Sequence, residues 1–214
     1  KVMDYYVSKN IKDPTIVFYW YGGEPTALPL NYYKDLINTA KELFPKTYKI
    51  KNHFLTNLFT LDGDWLDFLH HECENYFQTS YDYMMRGENY LKRWLKNVKK
   101  TVKMDFDISA INVFNNTMIG KEVEIYSQLK DIGVKEIGFL PFMKNYANLA
   151  DDAKEYKKWY ANMEDLSNFL IKFLQLHIED LKTNPNTFRI GNIAHIFKNY
   201  ESNLFYNNIA YAID

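Results

Sequence analysis

Short apolar segments alternate with longer segments of helical periodicity along most of this chain, and this alternation constrains the fold more than any other feature. β-branched and aromatic residues predict strands at residues 15–21, 50–56, 76–80, 106–113 and 136–141. Helical spacing predicts helices near residues 30–43, 62–69, 87–102, 119–129, 156–181 and 193–200, with a short extended segment at 188–190. Asp62 is expected to cap its helix, and Gly133 to end another.

Repeated strand–helix units predict a parallel sheet, because consecutive parallel strands are connected by right-handed helical crossovers. Five such units in a row predict an α/β fold, a partial parallel (β/α) barrel with its helices outside. We expect this barrel to occupy residues 1–150. Residues 151–214 are expected to form a helical segment that leads toward a further extension.

Composition and charge exclude several functional classes. The 214 residues are 47% hydrophobic and 25% charged with a net charge of −1, which is typical of a folded domain without a strong overall field. We therefore expect neither a membrane nor a nucleic acid as partner, and the lysines flanking the 87–102 helix are interpreted as solvent coverage. No apolar leader is found, and a cytoplasmic location is expected. The single cysteine, Cys73, excludes an intramolecular disulfide or a site of several thiolates from this chain.

The first predicted strand ends in a glycine pair followed by a carboxylate, Gly22-Gly23-Glu24-Pro25. Active sites of such barrels lie at the carboxyl ends of the strands. Two glycines permit positive φ and leave backbone groups bare, so the loop can offer acceptors to a ligand's ammonium group. A plain tight turn explains the residues equally well, and both interpretations stay open at this point.

Polar side chains follow the other predicted strands too. Thr56-Asn57, Ser80 and Asn112 lie at or near strand ends, and the guanidinium of Arg86, six residues after Ser80, can bind a ligand carboxylate bidentately. Each alone is explained as a helix cap. Together they are typical of a concave site with a few convergent polar groups.

The glycine-pair segment resembles the GGEP motif of radical S-adenosylmethionine (radical SAM) enzymes. Trp20-Tyr21 precede the motif here as a strand end. Further segments are similar in the same order: Leu55-Thr56-Asn57, Gln78 to Asp82, and Ile132-Gly133-Val134. The resemblance covers about residues 2–143 and is greatest to the peptide- and protein-modifying branch, which is SPASM-type and sulfatase-maturase-like.

The resemblance implies a binding site for S-adenosylmethionine (AdoMet). By similarity, Gly22, Gly23 and Glu24 hold the methionine ammonium, and Pro25 fixes the exit of the loop. The implied contacts with the rest of the cofactor come from Ser80 (ribose), Arg86 (carboxylate), Asn112 (ribose or adenine), Met143 (adenine), Thr56 and Asn57. Tyr21 is expected to face the barrel interior and contact substrate.

The family reaction also needs a 4Fe-4S cluster held by three cysteines in a CxxxCxxC loop. With that cluster and a reductant of the flavodoxin or ferredoxin type, AdoMet is cleaved to a 5′-deoxyadenosyl radical that abstracts hydrogen from a peptide or protein. This chain has one cysteine, so we expect no metal ligands in it. The first barrel strand and the cluster loop are expected to precede Lys1 in a longer parent protein, and the chain alone to be inactive.

Two alternatives compete with this interpretation. A degenerate or split barrel without a cluster would bind a nucleoside or a partner, and the codons upstream of Lys1 would distinguish it. A sugar-active barrel would use Glu24 and Asp82 as paired carboxylates, although both residues are better explained as ligand acceptors or caps.

Overall fold

The computed structural model describes residues 2–9, 11–142 and 152–192, and within them helices and strands alternate as the sequence predicts. The strands are β1 (Thr15–Trp20), β2 (Lys49–Phe54), β3 (Tyr76–Ser80), β4 (Asp107–Phe114), β5 (Glu136–Pro141) and β6 (Arg189–Ile190). The α-helices are α1 (Val2–Ser8), α2 (Leu30–Leu43), α3 (Gly63–Glu72), α4 (Glu88–Val102), α5 (Glu122–Ile132), α6 (Asp152–Trp159) and α7 (Met163–Leu181). All five strands predicted from apolar runs are present, with ends shifted by at most two residues.

The strands form an open parallel arc in chain order. β1 pairs with β2, and β3, β4, β5 and β6 pair successively, all in parallel. The two sets are joined where Leu55 bridges Gln78 and the Thr56 amide donates to the Gln78 carbonyl at 3.0 Å. The strands of the described residues do not close into a ring, so the partial-barrel prediction is confirmed.

The main core lies between the convex face of the arc and the helices. Alternate residues of β4 point toward it, and Ile108, Ala110 and Phe114 are almost completely buried. Trp94 of α4 is fully buried, and its indole nitrogen donates to Thr79 Oγ1 at 2.9 Å. Because the helices pack against the convex face, the concave face is the one on which polar and aromatic side chains of the strands are exposed.

One predicted helix is wrong. The segment 156–181 does not form one helix but belongs to two, α6 and α7, which are separated at residues 160–162. The Asn162 side chain accepts from the Asp165 amide at 2.8 Å, and the Asp165 carboxylate accepts from the Asn162 amide at 3.1 Å. This reciprocal capping box starts a new helix inside an apolar periodicity that continues through the break.

The last part of the described chain also joins the sheet. β6 pairs with β5, and the Asn192 side chain exchanges two hydrogen bonds of 2.8 Å with the Phe139 backbone. The predicted division near residue 150 stays a prediction, and the β5–β6 pairing crosses it. The predicted 193–200 helix lies outside the described residues. Within the described residues, no helix is long and apolar enough to span a bilayer.

Candidate functional site

The loop after β1 has a backbone that glycine accommodates best. Gly22 and Gly23 have φ values of 96° and 86°, which side-chain-bearing residues rarely adopt. An added Cβ would meet no heavy atom within 4 Å at either position. Both residues are exposed, and neither carbonyl accepts a backbone hydrogen bond from the described residues. The glycines thus provide an unusual conformation, with open space where a side chain would be and with carbonyls free of backbone hydrogen bonds from the described residues.

Glu24 ties this loop to the end of β2. Its Oε1 accepts from the Thr26 amide at 3.1 Å, from Thr26 Oγ1 at 2.5 Å and from Thr56 Oγ1 at 2.7 Å. Its Oε2 accepts from the Asn57 amide at 2.7 Å. The carboxylate therefore spans the ends of two neighbouring strands, and four donors of this chain converge on it.

A second support lies behind the loop. The Tyr33 hydroxyl of α2 donates to the Pro25 carbonyl at 2.9 Å, and burial raises the pKa of this phenol. Pro25 itself is buried at the start of a 3-10 turn, Pro25–Ala27. The rear of the loop is thus fixed to α2, while its glycines face outward. A cleft of about 430 Å³ lies here between the β1 end, this turn and α2.

The end of β3 lies beside an ion pair between an exposed arginine and a buried aspartate. Arg86 Nε lies 2.8 Å from Asp82 Oδ2, and Asp82 is nearly buried. Burial raises the pKa of Asp82, against the opposing effect of the Arg86 guanidinium. The Tyr90 hydroxyl donates to the Ser80 carbonyl at 3.0 Å. The predicted carboxylate ligand, Arg86, is therefore held at this rim by a carboxylate of the chain itself.

Arg93 of α4 also lies at this rim, although it is not among the site residues predicted from the sequence. Its guanidinium lies 4.1 Å from the centre of the Phe59 ring and donates to the Phe59 carbonyl at 3.1 Å. One turn later, Asn97 donates to the Leu58 carbonyl at 3.0 Å. Arg93 and Asn97 are spaced i, i+4 on the helix that follows the loop, and this spacing is the feature of the sequence from which the pair of donors could have been predicted.

The two arginines and two aromatic rings form a stack across the gap between the β2 and β3 ends. Arg86 lies 5.1 Å from the Tyr90 ring centre, and the Tyr90 and Phe59 rings are 5.0 Å apart. Arg93 makes no ion pair with a carboxylate in the part of the chain that the structure describes. Its charge therefore remains available to an anion at this rim.

The other predicted residues are distributed unevenly. Thr56 and Asn57 are brought to the glycine loop by Glu24, and Tyr21 is 66% exposed beside it. Asn112 is not brought to the rim, because it is fully buried, accepts from the Tyr83 amide at 3.1 Å and donates to Met118 Sδ at 3.0 Å. Met143 lies outside the described residues.

Aromatic and polar side chains line the concave face below this rim. Tyr19 and His53 are paired across β1 and β2 with ring centres 5.1 Å apart, and Tyr76 continues the row at 5.0 Å from His53. Gln78 donates to the Tyr76 hydroxyl at 3.2 Å. Partial burial and nearby Lys51 lower the pKa of His53, which favours a neutral imidazole. This face offers aromatic edges and hydrogen-bonding groups to a large ligand.

The residues fit AdoMet but not an iron–sulfur cluster. Bare carbonyls, a hydroxyl at Ser80 and arginines at one rim suit an α-amino acid head group and a ribose. Cys73 lies at the end of α3, before β3 and away from the rim, and burial raises the pKa of its thiol to about 12. Within the described residues, no three His, Cys, Asp or Glu side chains are grouped to hold a metal ion.

No family model matches the chain. It is 21% identical over 183 residues to a cysteine-type anaerobic sulfatase-maturating enzyme of Clostridium novyi, covering 80% of this chain and 47% of that protein. It is 22% identical over 160 residues to a serine-type anaerobic sulfatase-maturating enzyme of Bacteroides thetaiotaomicron, covering 71% of this chain and 38% of that protein. The chain therefore spans half or less of the length of these relatives.

Solved structures show the same fold. The structure of polyhistidine-tagged anSMEcpe with bound AdoMet has a TM-score of 0.70 at 19% identity, covering 92% of this chain and 56% of that one. The native anSMEcpe with bound AdoMet and the Kp18Cys peptide has a TM-score of 0.69, also at 19% identity, and covers 90% and 54%. The predicted fold, a partial barrel of the radical SAM type, is confirmed, as is the resemblance to sulfatase-maturating enzymes.

Proposed function

We propose that this chain is the core of a radical SAM enzyme that acts on a peptide or protein. The observation that carries the proposal is the open Gly22-Gly23 loop, which lies at the same rim as the ends of β2 and β3. A cofactor with an amino-acid head group and a nucleoside needs separate polar contacts at its two ends, and the rim supplies both.

The head group of AdoMet is assigned to the glycine loop and the arginines. The carbonyls of Gly22 and Gly23 accept from the ammonium, while Ser80 contacts the ribose. Arg86 remains a candidate for the carboxylate, but its pairing with Asp82 reduces its free charge. Arg93 is the second candidate, because its guanidinium has no carboxylate partner in the described part of the chain.

When bound, AdoMet would supply the radical chemistry, a reductive cleavage of its sulfonium bond that enables hydrogen abstraction from the substrate. The chain's own residues orient the cofactor and hold the rim in shape. The three cysteines that a 4Fe-4S cluster requires are not among these 214 residues. We therefore assign the cluster to other residues of the whole protein, with a flavodoxin or ferredoxin type of protein as reductant.

The substrate is proposed to be a peptide that enters the concave face. The exposed aromatic side chains of this face, Tyr19 and Tyr21, provide apolar area with polar tips, and His53 and Gln78 provide hydrogen-bonding groups. Support also comes from the sulfatase-maturating relatives and from the anSMEcpe structure that holds a peptide.

The whole protein, reconstituted anaerobically with iron and sulfide, tests this proposal. With a chemical reductant we expect it to convert AdoMet to 5′-deoxyadenosine and methionine, as measured by liquid chromatography and mass spectrometry. Omission of the reductant should abolish the product. A reconstituted, reduced protein that forms no 5′-deoxyadenosine would contradict the proposal.

A binding module without a cluster is the second candidate, and the single buried Cys73 favours it. Such a protein would bind AdoMet or adenosine but acquire no iron and cleave nothing. Iron and acid-labile sulfide analysis of the whole protein distinguishes the two, since the enzyme should hold at least one cluster of four iron atoms per chain.

A further inference from the structure

The Glu24 carboxylate accepts more hydrogen bonds from its own chain than we expect of a carboxylate that is free to bind a ligand. Of its four hydrogen bonds, two come from Thr26 and two from the β2 end, Thr56 and Asn57. An ionised carboxylate has about four lone-pair sites in total. Most of its accepting capacity is therefore used within the protein, although Oε2 has a single partner among these contacts.

Hydroxyl groups reinforce the arrangement. Thr26 Oγ1 also hydrogen-bonds Thr60 Oγ1, and it lies 3.5 Å from Thr56 Oγ1. Thr26 and Thr56 are buried, so water competes weakly for these contacts. Thr56 Oγ1 in turn accepts from the Leu58 amide at 3.2 Å. Glu24 and its hydroxyl partners thus fix the backbone that follows β1 and the backbone that follows β2.

We propose that Glu24 is a positioning residue, which shapes the AdoMet site by joining the glycine loop to the β2 end, and that its charge is not the main ligand of the cofactor's ammonium group. This inference rests on the proposed function and goes beyond it in the role of one residue. The ammonium group is left to the bare carbonyls of Gly22 and Gly23. Loss of Glu24 should then disturb the whole site, including the part that meets the nucleoside.

Two substitutions distinguish the effect of the length of the Glu24 side chain from the effect of its charge. Glu24→Gln keeps the length but replaces one acceptor by an NH2 donor, so it cannot accept from Asn57 and from the Oε1 donors together. Glu24→Asp keeps the charge but is one methylene shorter, so it can accept from Thr26 without reaching Asn57. Asp35→Asn is the matched control, since Asp35 is an exposed carboxylate on α2.

Ligand affinity is measured on the whole protein by calorimetry, with AdoMet and with 5′-methylthioadenosine, which lacks the ammonium and carboxylate. We expect both Glu24 variants to weaken both ligands by about tenfold, leaving the ratio of the two dissociation constants nearly unchanged. A loss confined to AdoMet in Glu24→Gln, with Glu24→Asp close to wild type, would overturn the inference in favour of a direct charge contact.

Hydrogen exchange of the ligand-free protein gives a second, independent measurement. In both variants the Asn57 amide should exchange at least about tenfold faster than in wild type, while Asp35→Asn leaves it unchanged. Unaltered protection of Asn57 in both variants would overturn the positioning role. Should wild-type protein bind neither ligand, the proposed function fails, whereas the exchange result still decides whether Glu24 holds the loop.

Discussion

At the scale of single residues, backbone conformation and charge pairing decide what the rim can bind. Gly22 and Gly23 adopt positive φ without any steric need for a missing side chain. Arg86 is committed to Asp82, whereas Arg93 lies on a ring and a carbonyl. Conformation and charge pairing thus distinguish residues whose polar groups are free to bind a ligand from residues whose polar groups stabilise the protein's own structure.

Gly23→Ala should weaken AdoMet binding through backbone strain. An L residue at this φ costs on the order of 1–2 kcal/mol, so either stability falls or the loop changes conformation. Gly63→Ala is the control, because Gly63 begins α3 without positive φ and with open space around it. Calorimetric AdoMet titration and thermal unfolding of both variants provide the measurement. Equal affinity in the two variants would contradict the assigned role of the loop.

The two arginines are predicted to differ in their effect on AdoMet affinity. Arg93→Gln should weaken binding by at least about tenfold, since a charge-assisted contact contributes roughly 1.5–3 kcal/mol. Arg86→Gln should mainly lower stability, because it leaves the buried Asp82 carboxylate without its cation. AdoMet titration and urea unfolding of each variant separate the two effects. The reverse pattern would assign the carboxylate to Arg86.

Cys73 should resist alkylation in the folded protein. Its thiol pKa is raised to about 12 by burial, so little thiolate exists at pH 8, and the reactive fraction increases only as the pH approaches that value. Iodoacetamide should modify it at least about a hundredfold faster in urea than in buffer. Fast modification of the folded protein at pH 8 would show that the thiol is accessible and has an ordinary pKa.

At the scale of elements, local signals predicted some boundaries and missed others. The Asp62 side chain caps α3 through the Trp65 amide, and Gly133 ends α5 in a left-handed conformation, as the sequence indicates. The α6–α7 break was missed because apolar residues continue through it at helical spacing. An asparagine followed three residues later by an aspartate is a weak signal until the two side chains are seen to exchange hydrogen bonds.

Asn162→Ala should destabilise the α6–α7 region by about 1 kcal/mol, the usual cost of losing a helix cap. For a chain of this size that corresponds to a decrease of roughly 2–4 °C in Tm. Ser167→Ala on exposed α7 surface is the control and should change Tm little. Equal Tm values for wild type and Asn162→Ala would mean that the cap contributes no net stability.

At the scale of the whole molecule, the parallel order and the rim could be predicted because strand–helix alternation leaves few topologies. The sequence did not predict which side chains contact each other within the rim. Asn112 is predicted at the site from its position near a strand end, yet it lies within β4, where the pleat directs its side chain into the core. Likewise, nothing local indicates that Glu24 and Thr56 meet, since 32 residues separate them in the chain.

The isolated 214-residue chain is predicted to self-associate. β1 has one neighbouring strand in the described sheet, so its other edge presents unpaired backbone groups beside exposed Tyr19. Light scattering over a range of concentrations should show a mass that rises above the monomer value. Tyr19→Lys should reduce this association, because a lysine discourages pairing along an edge. A concentration-independent monomer would contradict the prediction.

The position of AdoMet in a crystal of the whole protein tests the central claim most directly. We predict that the ammonium lies within hydrogen-bonding distance of the Gly22 or Gly23 carbonyl, with the ribose at Ser80 and the carboxylate at an arginine of the rim. AdoMet bound on the helical side of the sheet, or with its head group away from the glycine loop, would contradict the account.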